Sequence, residues 1–83
     1  MSTIFRKNRY LNLYAKGESV HGPSVVAYLW GHGNYKYSIE HRSDGREIDL
    51  VKINGSYETA MEIFEGEIMP DTYVELNSSG VLV

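Results

Sequence analysis

Three histidines are the side chains best suited to metal binding or to acid–base chemistry near neutral pH: His21, His32 and His41. A zinc site needs three or four ligands that converge on one point, and spacings such as HExxH bring two of them onto one helix face. The histidines here show no such spacing, and they fall in a predicted loop, a predicted turn and a predicted strand. We therefore expect three unrelated histidines at the surface or at sheet edges, no bound metal and no cofactor.

A serine nucleophile needs a histidine base beside it and an acid that orients the base. None of the serines follows the GxSxG pattern of a nucleophile elbow, and Ser56 is accounted for as a helix cap. The segment Gly31-His32-Gly33 is similar to part of a phosphate loop, but such loops lead into a helix and this one leads into a predicted strand. We predict that the protein is not an enzyme.

Charge is distributed unevenly along the chain. Residues 1–43 hold six basic and two acidic residues, a net charge of +4, whereas residues 44–83 hold two basic and nine acidic residues, a net charge of −7. On a predicted helix, Glu58, Glu62 and Glu65 recur at i, i+4 and i+7, and Glu67 and Asp71 extend the series; we call these five residues the acidic ridge. The acidic ridge predicts a docking surface for a protein partner with a basic surface, and the alternative is a helix face that is only solvated.

A second class of function follows from the basic amino-terminal half. Tyrosine and tryptophan side chains on a sheet, beside basic residues, bind single-stranded nucleic acid in several small folds. The alternative prediction is therefore a nucleic-acid-binding domain, with these candidate residues: Arg6, Lys7, Arg9, Tyr10 and Tyr14.

A short helix is predicted after Asn54-Gly55, where the period of the apolar residues changes. Its apolar stripe has the spacing i, i+3, i+4, i+7 and consists of Tyr57, Ala60, Met61 and Phe64. Ser56 is the expected N-cap and Gly66 the expected end. A helix of about three turns is not stable alone, so we expect it to lie on a sheet.

Alternating patterns predict strands at 9–15, 24–30 and 35–41, a further strand between a turn at 43–46 and Asn54, and short strands at 72–76 and 81–83. A loop is predicted at 16–24 and a hairpin turn at 31–34. The predicted fold class is α+β: an antiparallel sheet of five or six strands, with a meander in the centre and one helix packed across one face, in the order β-β-β-β-α-β(-β).

The charges of the residues that face each other in the second hairpin can be used to check its predicted register. A two-residue turn at 44–45 places Arg42 opposite Glu47, which is a favourable pair of charges. Continued without interruption, the same register places Glu40 opposite Asp49, which is an unfavourable pair of like charges. The register of this hairpin therefore stays open.

Because side chains alternate along a strand, odd and even positions divide the predicted meander into two faces. We assign the larger and more aromatic face to the core, with these members: Val26, Tyr28, Trp30, Tyr35, Tyr37, Ile39, Ile48 and Leu50. The opposite face mixes small apolar residues with charges, as a partly solvated face does. We expect Trp30 to be buried beneath the helix, near Phe64 or Met61.

The 83 residues have the size of one domain, spanning 1–83. Cysteine is absent, so disulfides and thiolate metal sites are excluded. The longest apolar run, at 25–30, is far shorter than the ~20 residues of a membrane helix, and the first residues lack the apolar stretch of a signal peptide. We expect a cytoplasmic protein that does not bind membranes.

In its size and its acidic helix, the chain resembles, in general character, small phage-encoded proteins that inhibit host enzymes or defence systems. This resemblance implies a non-enzymatic protein-binding module that inhibits or modulates a larger macromolecule. No motif carries the resemblance, so it transfers no residue roles.

Overall fold

The computed structural model of the protein describes residues 12–75 and 81–82. Four long strands form an antiparallel meander in the order β4-β3-β2-β1, and one helix follows them. Two-residue strands, β5 and β6, pair antiparallel with β1. The elements are β1 (Asn12–Glu18), β2 (Val25–Gly33), β3 (Lys36–Ser43), β4 (Arg46–Asn54), α1 (Tyr57–Glu65), β5 (Val74–Glu75) and β6 (Val81–Leu82). The α+β class, with a central antiparallel meander and one helix, is confirmed.

The two hairpin turns of the meander each place two residues at positive φ, the conformation that two-residue turns of type I′ require. The predicted turn at 44–45 is confirmed, with φ of 57° at Asp44 and 78° at Gly45. The first turn lies later than predicted, at Asn34 and Tyr35, with φ of 55° and 59°. The predicted loop at 16–24 is also wrong at its start, because β1 continues to Glu18.

Three shifts in strand pairing determine which residues face each other, and one of them lies in β1 between Leu13 and Ala15. Between β2 and β3 the pairing shifts by one residue at 31–33, next to the first turn. Between β3 and β4 it begins as predicted, with Arg42 opposite Glu47, and then shifts so that Asp49 lies opposite His41. This bulge leaves Ile48 without a partner, and it also places Leu50 opposite Glu40, so the like-charge pair of the uninterrupted register does not form.

The predicted core face is right for Tyr37 and Ile39 of β3 and wrong for the residues of β2, since Tyr28 and Trp30 lie on the other side of the sheet. Helix α1 covers the face with the smaller residues of β2, and the buried cluster beneath it consists of Ala15, Ala27, Leu29, Ile39, Ile53, Ala60, Phe64 and Ile68. The bulge at 31–33 adds one residue to β2, so side chains on the two sides of the first hairpin no longer face the sides that simple alternation predicts. Ile39 therefore lies opposite Leu29 and not beside Trp30. We call this side the covered face and the opposite side the open face.

The volume of the helix side chains explains this choice. Phe64 is fully buried and Met61 and Tyr57 are partly buried, so the sheet beneath them must supply small residues. Gly17 shows how close the layers come, since a Cβ there would lie 3.0 Å from the Ile68 side chain. An aromatic β2 face would hold the helix farther from the sheet.

The predicted burial of Trp30 beneath the helix is therefore wrong. Trp30 lies half-buried on the open face, where its indole Nε1 donates a hydrogen bond to Glu40 Oε1 at 2.9 Å. Its ring centroid lies 6.4 Å from that of Tyr28 on the same strand. No element of the described chain packs over these two aromatic rings as α1 does over the covered face.

Helix α1 confirms the predicted stripe and caps. The Ser56 hydroxyl accepts a hydrogen bond from the Thr59 backbone N–H at 3.2 Å, and Gly66 is the C-cap. The segment after the helix then pairs with the end of β1, through Val20 N–H to Glu67 O at 3.1 Å and Met69 N–H to Glu18 O at 2.8 Å. Within the described residues, none of the helices is long and apolar enough to cross a membrane.

Candidate functional site

Three members of the acidic ridge lie exposed along one flank of α1: Glu58, Glu62 and Glu65. None of the ion pairs among the described residues includes them. The last turn of the helix contains no basic residue, so Glu62 and Glu65 lie unneutralised at the negative end of the helix dipole. Their mutual spacing adds like-charge repulsion, so this flank costs the helix stability.

A surface groove brings Glu65 and Asp71 to the same place. It has a volume of about 410 Å³ and is lined by Glu65, Ile68, Met69, Pro70, Asp71 and Tyr73. Carboxylates therefore line the groove together with apolar side chains and a tyrosine ring. Tyr73 also packs edge-on against Phe64, with ring centroids 6.2 Å apart, which fixes this side of the groove to the core.

Asp71 is held in its place by the turn that precedes β5. Its backbone has a φ of 67°, in the left-handed region that aspartate tolerates better than most residues but that still costs energy. The Thr72 hydroxyl donates to Met69 O at 2.7 Å and accepts from Glu18 N–H at 3.0 Å. These two bonds tie the turn to the end of β1.

Glu67, the remaining member of the acidic ridge, does not point along the helix flank. Its carboxylate oxygen lies 2.9 Å from Nε2 of His41, whose side chain is fully buried. Because a carboxylate only accepts hydrogen bonds, Nε2 of His41 carries the proton of this bond. Glu67 is therefore an inward-facing partner of a core histidine.

Of the five candidate residues for nucleic-acid binding, the structure describes one, Tyr14. Arg6, Lys7, Arg9 and Tyr10 lie outside it. Tyr14 lies on the covered face, half-buried in a cluster with Tyr37 and Tyr57, at ring-centroid distances of 6.1 and 5.4 Å. It is therefore not on the open face with Tyr28 and Trp30.

Within the tyrosine cluster, Tyr37 is not a candidate base. Burial, followed by the neighbouring Tyr14 and Tyr35 side chains, raises the pKa of the Tyr37 hydroxyl above its usual value of 10. A phenol with a raised pKa stays protonated at neutral pH and acts as a hydrogen-bonding group.

A second polar cluster brings two of the histidines together. Ser19, at the end of β1, places its hydroxyl 2.7 Å from Nδ1 of His41, and this hydroxyl also accepts the His21 backbone N–H at 2.9 Å. The rings of His21 and His41 meet edge to face at a centroid distance of 4.4 Å. The expectation of three unrelated histidines is wrong for this pair, and only His32 lies apart.

Asp49 completes this cluster, which we call the histidine cluster: His21, His41, Asp49, Ser19 and Glu67. Nε2 of His21 lies 3.1 Å from the Asp49 carboxylate, and both side chains are nearly half exposed. One nitrogen of each imidazole and one Asp49 oxygen lie within 4.8 Å of one another. Among the described residues, this is the group whose ligand atoms converge on one point.

Ser19, His41 and Glu67 are the residue types of a hydrolytic triad, but Ser19 and His41 are not accessible to a substrate. Ser19 is 1% exposed and His41 is not exposed, so no substrate carbonyl can reach the hydroxyl. The Ser19 oxygen already accepts the His21 N–H while its proton is directed to Nδ1 of His41. The three side chains therefore act as a buried polar link between β1, β3 and the segment after α1.

Sequence analysis missed this cluster because its members are far apart in the chain and because a bulge selects Asp49. One signal was present in the sequence. The like-charge pair of Glu40 and Asp49 indicates that the register of the second hairpin changes before Asp49, and a one-residue change turns Asp49 to the face of His41.

Comparison with known proteins adds no relative. No protein-family model matches the chain, and neither a curated protein nor a solved structure is significantly similar to it.

Proposed function

We propose that the protein is a small, non-enzymatic protein-binding module, an inhibitor or modulator that docks a larger partner through the exposed part of the acidic ridge. The observation that carries this proposal is the groove that Glu65 and Asp71 both line, beside apolar side chains. The partner presents a basic surface, with an arginine or lysine side chain that enters the groove.

The chemistry of the groove matches such a side chain at both ends. Met69 and Pro70 offer apolar contacts to the methylene groups of an arginine or lysine, which pack on apolar surfaces while the charge stays near polar groups. Glu65 and Asp71 offer carboxylates to the cationic end, where a guanidinium makes charge-assisted hydrogen bonds. The Tyr73 ring is a further site of attraction for a cation.

The cost of the ridge supports a role beyond solubility. Two carboxylates at the wrong end of the helix dipole and a residue at positive φ each lower the stability of an 83-residue domain. A basic partner would neutralise the carboxylates and recover part of that cost on binding. Such unfavourable charge and backbone features are commonly found at binding sites.

The test uses fluorescein-labelled peptides, one rich in arginine and one of the same length rich in glutamate. Fluorescence anisotropy should show binding of the basic peptide only, weakening as salt rises because the charges become screened. We expect the double variant Glu65→Gln, Asp71→Asn to bind about tenfold more weakly, since two charge pairs are lost. Both substitutions keep the shape of the side chain, and asparagine also tolerates the positive φ.

The matched control is Glu47→Gln, which removes an exposed carboxylate from β4, away from the groove. It changes the net charge without changing the groove, so its affinity should stay within about twofold of the wild type. Equal weakening by Glu47→Gln and by the double variant would mean that the peptide responds to net charge alone. That result would contradict the proposed docking site.

One specific observation, the open face, favours the alternative that the protein binds nucleic acid. Tyr28 and Trp30 lie there half-buried, and the register places Lys16 and Lys52 on the same side. Aromatic rings beside basic residues on a sheet are the usual platform for single-stranded nucleic acid. This second proposal keeps the basic amino-terminal residues as further contacts.

A gel-shift assay at low salt with single-stranded DNA and RNA tests this alternative. If the open face binds, Trp30→Ala should weaken binding by about 1–3 kcal/mol, the usual contribution of one stacked base. Tyr57→Leu, which changes the covered side, should not weaken it. Absence of any shift, or a shift that Trp30→Ala leaves unchanged, would contradict the alternative.

We also propose the finer form of the architecture, a sheet of five or six strands in the order β-β-β-β-α-β(-β). The two-residue pairings of β5 and β6 with β1 support it. We place the binding activity in the cytoplasm as part of the same proposal, which fits a chain without cysteine.

A further inference from the structure

The histidine cluster suggests a function that the docking surface does not require. Two imidazoles and a carboxylate converge there, with one ligand atom of each within 4.8 Å of the others. Imidazole nitrogen and carboxylate oxygen form the ligand set that divalent transition metals such as Zn²⁺ prefer, whereas Mg²⁺ and Ca²⁺ prefer oxygen alone.

The β4 bulge is the feature of the fold that brings Asp49 to this convergence. Without the extra residue, Ile48 would lie opposite His41. With it, Asp49 takes that place and Ile48 is 50% exposed. The bulge therefore places a carboxylate, and not an isoleucine, beside the two imidazoles, and bulges are over-represented next to functional sites.

The surroundings of the His41 ring fit a metal site as well. Each ring nitrogen of His41 has a partner, Ser19 on Nδ1 and Glu67 on Nε2. Because Nε2 carries the proton of the bond to Glu67, Nδ1 is the nitrogen that can bind a metal. It then gives up the hydrogen bond from Ser19, and the bond from Nε2 to Glu67 continues to hold the ring. A ligating histidine held in this way by a carboxylate or hydroxyl is the common arrangement in metal proteins.

Access is provided from the solvent side. His21 and Asp49 have side-chain exposures of 41% and 46%, so an ion can reach them without opening the core. His41 forms the buried end of the cluster. We propose that His21, His41 and Asp49 bind one divalent transition-metal ion, which links the β1–β2 connection to β3 and β4.

The experiment uses the untagged full chain, stripped with a chelator and titrated with ZnCl₂ by isothermal calorimetry, with MgCl₂ as the comparison salt. We expect one Zn²⁺ per chain and no Mg²⁺ binding. Because the ion binds the folded state, the melting temperature should rise by roughly 10 °C at a hundredfold excess over Kd.

Two variants and one control assign the site. His21→Ala and Asp49→Asn change exposed side chains, so both should fold, which circular dichroism checks. Each should weaken Zn²⁺ binding at least about tenfold, whereas His32→Ala should stay within about twofold of the wild type.

The proposal is overturned if the wild type shows no Zn²⁺ binding at millimolar concentration. It is also overturned if either His21→Ala or Asp49→Asn binds as tightly as the wild type, or if His32→Ala weakens binding as much as they do. None of these outcomes bears on the acidic groove, so the proposed docking function stands or falls separately.

Discussion

His32 occupies an environment unlike those of the other two histidines. Its Nε2 lies 2.8 Å from the Ser38 hydroxyl, beside Lys52 on the neighbouring strand. Partial burial, and secondarily the Lys52 charge, lower the pKa of His32 below its usual value of 6.5. The folded protein therefore disfavours protonation of this ring more than the unfolded chain does.

The sign of the resulting pH effect follows by linkage. Since the folded pKa lies below 6.5, the contribution of His32 to stability is fully present above pH 6.5 and is lost as pH falls from 6.5 through the lowered pKa. We predict that an NMR titration of the His32 ring gives a midpoint below 6.5. Lys52→Met should raise this midpoint only part of the way to 6.5, since burial is the larger cause.

Arg46→Met is the control for that titration, because it removes a positive charge from β4 at the other end of the strand. It should leave the His32 midpoint unchanged. A midpoint at or above 6.5 in the wild type would contradict the assigned environment of the ring.

At the scale of the elements, α1 supplies Phe64, the largest fully buried side chain among the described residues. Phe64 is fully buried beneath the helix, whereas Trp30 is half-buried on the open face. We predict that Phe64→Ala lowers the free energy of unfolding by about 3–5 kcal/mol and that Trp30→Ala lowers it by less than half as much. Urea unfolding followed by circular dichroism measures both.

If Phe64→Ala fails to fold, Phe64→Leu keeps the comparison measurable. The leucine variant retains an apolar side chain and loses only part of the ring contacts, so a folded population remains. A larger loss from Trp30→Ala than from Phe64→Ala, or a Trp30→Ala variant that fails to fold where Phe64→Leu folds, would mean that the core lies on the open face.

Helix α1 and the turn at 44–45 could be predicted because their signals are local. Four apolar residues at helical spacing, Ser56 as a cap and an Asp-Gly turn all act within a few residues. The faces of the sheet could not be predicted in the same way. A bulge is one extra residue without a hydrophobic signature, and each bulge reverses the side on which every later residue lies.

The two candidate sites also differ in whether their sequence signals are local. The exposed ridge residues Glu58, Glu62 and Glu65 follow from helix periodicity, so their shared flank could be predicted. The meeting of His21 with His41 depends on two strand registers and on the connection between β1 and β2. No spacing in the sequence encodes that meeting.

At the scale of the whole molecule, the sheet separates two surfaces of different character. Helix α1 and the acidic groove lie over the covered face, while the open face holds the aromatic residues Tyr28 and Trp30. Among the described residues, those that line the groove and those that carry the open aromatic rings therefore lie on opposite sides of the sheet.

The bulge at Ile48 has a consequence for solubility. Strand β4 lies at one end of the strand order among the described residues, so one row of its backbone N–H and C=O groups faces outward. A straight row of this kind is a template on which a second chain can add a strand, the first step of aggregation. The extra residue interrupts the row, and the charged neighbours Arg46, Glu47 and Asp49 make a regular intermolecular ladder unfavourable. The residue that turns a carboxylate toward the two imidazoles thus also helps to keep concentrated chains from adhering edge to edge.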